Sequence, residues 1–94
     1  MITLAVTYVF SNDHAAEAER YLRELIAVSR AESGCRTYDV NRANDGRTFF
    51  IYERYDDDAA LEAHRASPHF ERFGKNGIQP LAQSRVATFY EPLV

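Results

Sequence analysis

Residues 47 to 55 read RTFFIYERY, and an extended run there sets Phe49, Ile51, Glu53 and Tyr55 on one side and Phe50, Tyr52 and Arg54 on the other. Both sides are mostly aromatic or aliphatic. A chain of 94 residues has room for one core, and an antiparallel sheet around one core ordinarily keeps a wet face. A strand that is greasy on both faces therefore needs two covers. The chain's own helices supply one, and a second copy of the chain is the expected source of the other, so a homodimer is expected.

The flanking sequence supplies those helices. Residues 2 to 10 alternate, with Leu4, Val6, Tyr8 and Phe10 opposite Thr3, Ala5, Thr7 and Val9, as a first strand does. Ser11, Asn12 and Asp13 offer capping oxygens, and Ala18, Tyr21, Leu22, Leu25, Ile26 and Ser29 recur at helical spacing, predicting a helix to about Ser33 closed by a left-handed Gly34. Cys35 to Arg42 reads as a second strand, and Asn44-Asp45-Gly46 as the turn of a hairpin into Arg47 to Tyr55. Asp56, Asp57 and Asp58 cap a second helix through Ala66, with Ala60, Leu61 and His64 inward. Ser67-Pro68 restarts a short helix carrying Phe70 and Phe73 to about Lys75; Gly74, Gly77 and Pro80 mark a loop, and Ser84 to Glu91 alternates as a fourth strand. The order βαββαβ predicts one α+β domain over 1–94, a ferredoxin-like fold with helices on one face of a four-stranded antiparallel sheet.

Composition narrows the function. The formal net charge is −3, and Lys75 is the one lysine beside ten arginines, so no basic face suited to nucleic acid is expected. The opening MITLAVTYVF has no positive leader and is too short to cross a bilayer, which predicts a cytoplasmic protein with no membrane partner. Cys35 is the sole cysteine, which excludes an internal disulfide and reads as a small packed residue.

No Gly-rich phosphate loop, paired cysteines, GxSxG or HExxH is present, so no cofactor is expected. His64 and His69 are five apart with Pro68 between them, and a metal site there needs a third ligand that the sequence does not reveal; no metal is expected. His14 falls in the capping region of the first helix and reads as a solvated surface residue. His64 lies on the face that looks at the sheet, as either a hydrogen-bonded core residue or a titratable group in a pocket. Glu53, mid-strand among aromatics, is costly to bury without a partner. His64, Arg85 or Arg36 are its candidates, and a structural salt bridge at the strand edge is the plain alternative.

The stretch Phe50-Ile51-Tyr52-Glu53-Arg54-Tyr55, with Ala60-Leu61-Glu62-Ala63-His64-Arg65-Ala66-Ser67-Pro68-His69-Phe70 and the upstream Glu32-Ser33-Gly34-Cys35-Arg36-Thr37-Tyr38, resembles the antibiotic biosynthesis monooxygenase family over essentially the whole chain. The resemblance implies a dimeric α+β barrel with a pocket between sheet and helices in each subunit. It is closest to the quinol monooxygenases and the isomerase of phosphorylated autoinducer-2. The heme-degrading pattern is not matched, since the chain has no tryptophan and Gly74 stands where that pattern has a histidine. Nor is the polyketide-oxidising one, since Ile51 and Tyr55 stand at its asparagine and tryptophan positions.

The leading expectation is cofactor-independent monooxygenation of a small phenolic, quinol or polyketide-like substrate with O2 as co-substrate. His64 would be the base, Glu53 its orienting or charge-balancing partner, and Ile51, Tyr55, Leu61, His69, Phe70 and Phe73 the substrate-binding wall. A proton-shuttling isomerase of a small metabolite, phosphorylated or not, and a non-catalytic dimeric small-molecule-binding protein are the alternatives.

Overall fold

The structure, a computed structural model, describes residues 1–93. Strands β1 (Ile2–Phe10), β2 (Cys35–Arg42), β3 (Thr48–Tyr55) and β4 (Ala82–Tyr90) form one antiparallel sheet in the order β2-β3-β1-β4. Helices α1 (Asn12–Arg30) and α2 (Asp58–Arg65) and a π-helix (Phe70–Ile78) cover one face of it, and a single helical turn (Gln79–Leu81) leads into β4. This is the expected ferredoxin-like α+β arrangement.

The alternation of β1 and β3 builds the core directly. Their register pairs Leu4 with Glu53, Val6 with Ile51 and Tyr8 with Phe49, so both side chains of each pair point under the helices. Ala18, Leu22 and Leu25 of α1, Leu61 of α2 and Ile78 close over them. Asp57 caps α2 by accepting from the Ala60 amide (2.9 Å). Ser67 works in both directions: its Oγ accepts from the Phe70 amide (3.2 Å) and donates to the carbonyl of His64 (2.6 Å), so the restart of the helix is tied to His64 near the end of α2.

Three expectations are corrected. First, α1 ends at Arg30 rather than near Ser33, and Gly34 is not left-handed; Gly46, in the β2–β3 turn, is the one described residue with positive φ (75°). Gly34 is required for closeness instead. A Cβ built on it would lie 2.3 Å from Cβ of Ala60, so the α1–β2 passage rests directly on α2. Second, the loop expected around Gly74, Gly77 and Pro80 is the π-helix and the turn that follows. Gly77 lies against the Tyr21 ring, where a side chain would crowd it (3.0 Å), and Pro80 sits at the start of the turn Gln79–Leu81, where its missing N–H costs nothing. Third, β4 starts two residues early, at Ala82.

The opposite face of the sheet carries Thr7, Phe50, Tyr52, Arg54, Val86 and Tyr90 with no helix over it. Phe50 is 41% and Val86 62% exposed, and Arg54 Nε has no hydrogen-bond partner among the described residues. Beyond Ala82 every residue of β4 is exposed, including Phe89 (53%), which points toward the helix side.

The Gly34–Ala60 contact yields a direct test. Gly34→Ala should lower unfolding free energy by about 1–3 kcal/mol, the usual cost of forcing a methyl into a filled space, and Ala60→Gly should recover part of the loss in the double variant. Denaturant titration of the four proteins in the cycle reads the coupling.

Candidate active site

Two carboxylates flank one buried imidazole. Glu53 comes from the middle of β3, His64 from the inward face of α2 and Glu32 from the turn after α1, which the Gly34–Ala60 contact presses against α2. His64 Nδ1 lies 2.9 and 3.2 Å from the two oxygens of Glu32, while its Nε2 faces Glu53 Oε1 at 3.8 Å, too long for a hydrogen bond. A carboxylate is an acceptor, so Nδ1 carries the hydrogen toward Glu32 and Nε2 of the neutral ring presents its lone pair to Glu53. His69 Nε2 donates to the other side of Glu32 (2.7 Å). The His64 ring is held among Tyr55 and Phe70, at centroid distances of 5.3 and 5.1 Å.

The partner of Glu53 is Tyr55, two residues on along the same face of the strand. Its hydroxyl donates to Oε1 (2.6 Å). Arg85 lies nearby, and its charge favours the carboxylate, but its Nε donates to the Tyr8 hydroxyl (3.2 Å). Arg36 is engaged with Asp56 at the surface (2.8 Å) and takes no part.

Burial sets the proton affinities. It raises Glu53 to about 7, with the Tyr55 hydrogen bond and the charges of Arg85 and Arg65 pulling the other way and Glu32 adding to the rise. It pushes His64 below its ordinary value of 6.5, against the opposing pull of Glu32. Tyr55 is held far above the usual tyrosine range by burial and by Glu53, so it serves as a hydrogen donor throughout. Cys35, its thiol pointed at the Thr37 carbonyl, is pushed up to about 11 by burial and is not a nucleophile at neutral pH.

Between sheet and helices lies a cavity of about 40 Å³. Of the residues singled out from sequence, Ile51, Glu53, Leu61, His64 and Phe70 line it, joined by Tyr8, Tyr38 and Arg85. Three others are placed elsewhere. Tyr55 stands behind Glu53, His69 stands behind His64 across Glu32, and Phe73 packs on Tyr21 of α1 at 6.3 Å between centroids. Such a volume holds a few waters, whereas ligand sites usually enclose about 300 Å³ or more. Phe70, Arg65 and Arg85 belong to the cavity's lining.

Glu32 is the residue of this cluster that sequence reasoning missed. Its signal was its place directly before Ser33-Gly34-Cys35, but only the contact of Gly34 with Ala60 reveals where its carboxylate points.

The model of the antibiotic biosynthesis monooxygenase family matches residues 1–76. The chain belongs to this family. Among curated relatives, it is 36% identical over 72 residues to "Putative monooxygenase Rv0793" of Mycobacterium tuberculosis, covering 77% of this chain and 71% of that one. It is 34% identical over 68 residues to "Putative monooxygenase YcnE" of Bacillus subtilis, covering 68% and 72%. The crystal structure of PA3566 from Pseudomonas aeruginosa superposes with a TM-score of 0.91 at 39% identity, covering 99% of this chain and 94% of that one. No helix among the described residues is long and apolar enough to cross a membrane.

The raised affinity of Glu53 fixes the sign of a pH effect. Between its ordinary value of 4.5 and about 7 the unfolded chain has lost this proton and the folded chain keeps it, so the contribution to stability is full below pH 4.5 and lost as pH rises through 7. His64 acts in the opposite sense, because its lowered value costs stability as pH falls. The comparison with Glu53→Gln isolates the carboxylate: the stability of wild type relative to the variant should fall by about 3 kcal/mol from pH 4.5 to pH 8. A flat difference in urea midpoints across that range would show that Glu53 is ionised throughout.

Proposed function

We propose that the chain is a cofactor-independent monooxygenase of a small phenolic, quinol or polyketide-like substrate, acting as a homodimer. The observation that carries the reading is the pair formed by His64 Nε2 and Glu53, 3.8 Å apart at a cavity whose wall includes Tyr8, Tyr38 and Phe70, each held from behind, by Glu32 and Tyr55 respectively. His64 accepts the phenolic proton at Nε2, Glu32 keeps the ring in the tautomer that leaves Nε2 bare, and Glu53 shares or balances the resulting charge. The phenolate is then the reductant. A hydroquinone and O2 give a hydroxyquinone and water, with both oxygen atoms and all electrons accounted for by the substrate pair, so no external reductant enters. The aromatic wall keeps water away from the anion.

A second reading is favoured by the same pair. Two groups of adjustable protonation facing one cavity suit the movement of a proton between two carbons or oxygens, as in an isomerisation.

Homodimerisation is supported by the uncovered sheet face with Phe50 and Val86, by the unpartnered Nε of Arg54 there, and by a strand β4 exposed on both sides. A second copy related by a two-fold axis places the same patch against itself.

Oxygen uptake across a panel of hydroquinones tests the activity. At least one member should be consumed with O2 without added flavin or metal, and His64→Ala should lower that rate by about 100-fold or more at unchanged fold. Isomerised products without oxygen uptake would select the second reading. Light scattering should give a dimer at micromolar concentration, and Phe50→Glu should weaken it by several kcal/mol, on the order expected for an unpaired buried charge. A monomeric wild type would remove the dimer.

A further inference from the structure

The monooxygenase reading puts its proton transfer at Nε2 of His64 and uses Nδ1 only to hold the tautomer. On the Nδ1 side, three side chains from three separate segments meet, and that reading gives His69 no part. Glu32 Oε1 is 2.9 Å from His64 Nδ1, Glu32 Oε2 is 2.7 Å from His69 Nε2, and the three donor atoms all lie within 4.8 Å of one another. Donors sharing one ion at about 2.1 Å stand about 3.0–3.4 Å apart, so both nitrogen–oxygen pairs already have nearly that spacing. A modest swing of the His69 ring would bring the two nitrogens together. The spacing of His64 and His69 around Pro68, which argues against a shared site on a continuous helix, is overcome because the chain turns at Ser67 and Glu32 arrives from the α1–β2 passage.

We propose that Glu32, His64 and His69 form a binding site for a divalent transition-metal ion of the zinc class. Two imidazoles and one carboxylate make a borderline donor set that favours zinc and its neighbours over magnesium or calcium, which take oxygen. Three protein ligands leave further positions for water. The side chains of Glu32 (18% exposed) and His69 (21%) reach the surface, giving the ion a path in, while His64 anchors it from the interior. Glu53 Oε1 stands 3.8 Å from Nε2 on the far side of the ring, beyond hydrogen-bonding distance.

The ion would compete with the role assigned to His64 above, and this consequence rests on that reading. Metal at Nδ1 displaces the hydrogen shared with Glu32 and leaves the ring's one proton on Nε2, where it faces the cavity as a donor. A ring in that state cannot accept a proton from substrate. The site is thus an inhibitory one.

Calorimetric titration of chelator-treated protein with zinc chloride, with magnesium chloride as control, tests the site. One zinc ion per chain is expected, with affinity reduced at least tenfold by His69→Ala and by the near-isosteric Glu32→Gln, each checked for native circular dichroism. Absence of saturable binding, equal binding of magnesium, or binding that survives both substitutions would overturn the site. Where a substrate has been found, oxygen uptake should fall along the zinc-binding curve and return with chelator; zinc bound at these residues with turnover unchanged would overturn the inhibition. The binding titration needs no turnover, so failure of the monooxygenase reading leaves this site still decided.

Discussion

A carboxylate in the middle of an apolar strand is the constraint around which the interior is arranged. Removing Glu53 from water without compensation costs several kcal/mol, and the fold meets that cost in two ways. Tyr55 donates a short hydrogen bond to it, and burial raises its proton affinity to about 7, so near neutrality the group is neutral for part of the time. A neutralising arginine at contact distance would have been the simpler remedy. The nearby arginines instead bind Tyr8 and Glu62, and Glu53 keeps a proton affinity poised where chemistry at neutral pH can use it.

The second dependency runs through backbone packing. The absence of a side chain at Gly34 allows the α1–β2 passage to sit on Ala60, and that contact sets Glu32 beside the imidazole. Asp57 fixes the start of α2 and Ser67 its end, so His64 is constrained at its backbone from both directions and at its ring by Glu32, Tyr55 and Phe70. Preorganisation of this kind is what a positioned proton acceptor requires. Apart from Phe70, it is carried here by residues outside the cavity lining.

The sequence makes one half of this arrangement readable and hides the other. Period-two alternation puts Ile51, Glu53 and Tyr55 on a common face, and helical spacing puts His64 inward, because both signals are local and the burial that creates them acts on every turn or pleat. Glu32 escapes that logic. It lies on a turn, where no periodicity operates, and its direction depends on a contact with a residue 26 positions beyond Gly34. Phe73 fails for a different reason: three residues after Phe70 it would share a face on an α-helix, but the wider i→i+5 winding of the π-helix carries it round to Tyr21. Gly34 carries the right residue for the wrong cause, since both a left-handed cap and a close approach call for glycine.

His64 sits between two carboxylates with unequal claims on it. Glu32 is within hydrogen-bonding distance of Nδ1 and shares itself with His69; Glu53 stands off at 3.8 Å from Nε2 and spends its short bond on Tyr55. A neutral imidazole has one hydrogen to give, and the shorter contact takes it. The asymmetry leaves a lone pair directed at the cavity without any group inside the cavity having to enforce it. Were the distances reversed, with Glu53 close and Glu32 remote, the hydrogen would point inward and the ring would serve as an acid. In the proposed reaction the direction of proton transfer is therefore decided by the turn after α1, outside the pocket, and whatever occupies Nδ1 governs what Nε2 can do.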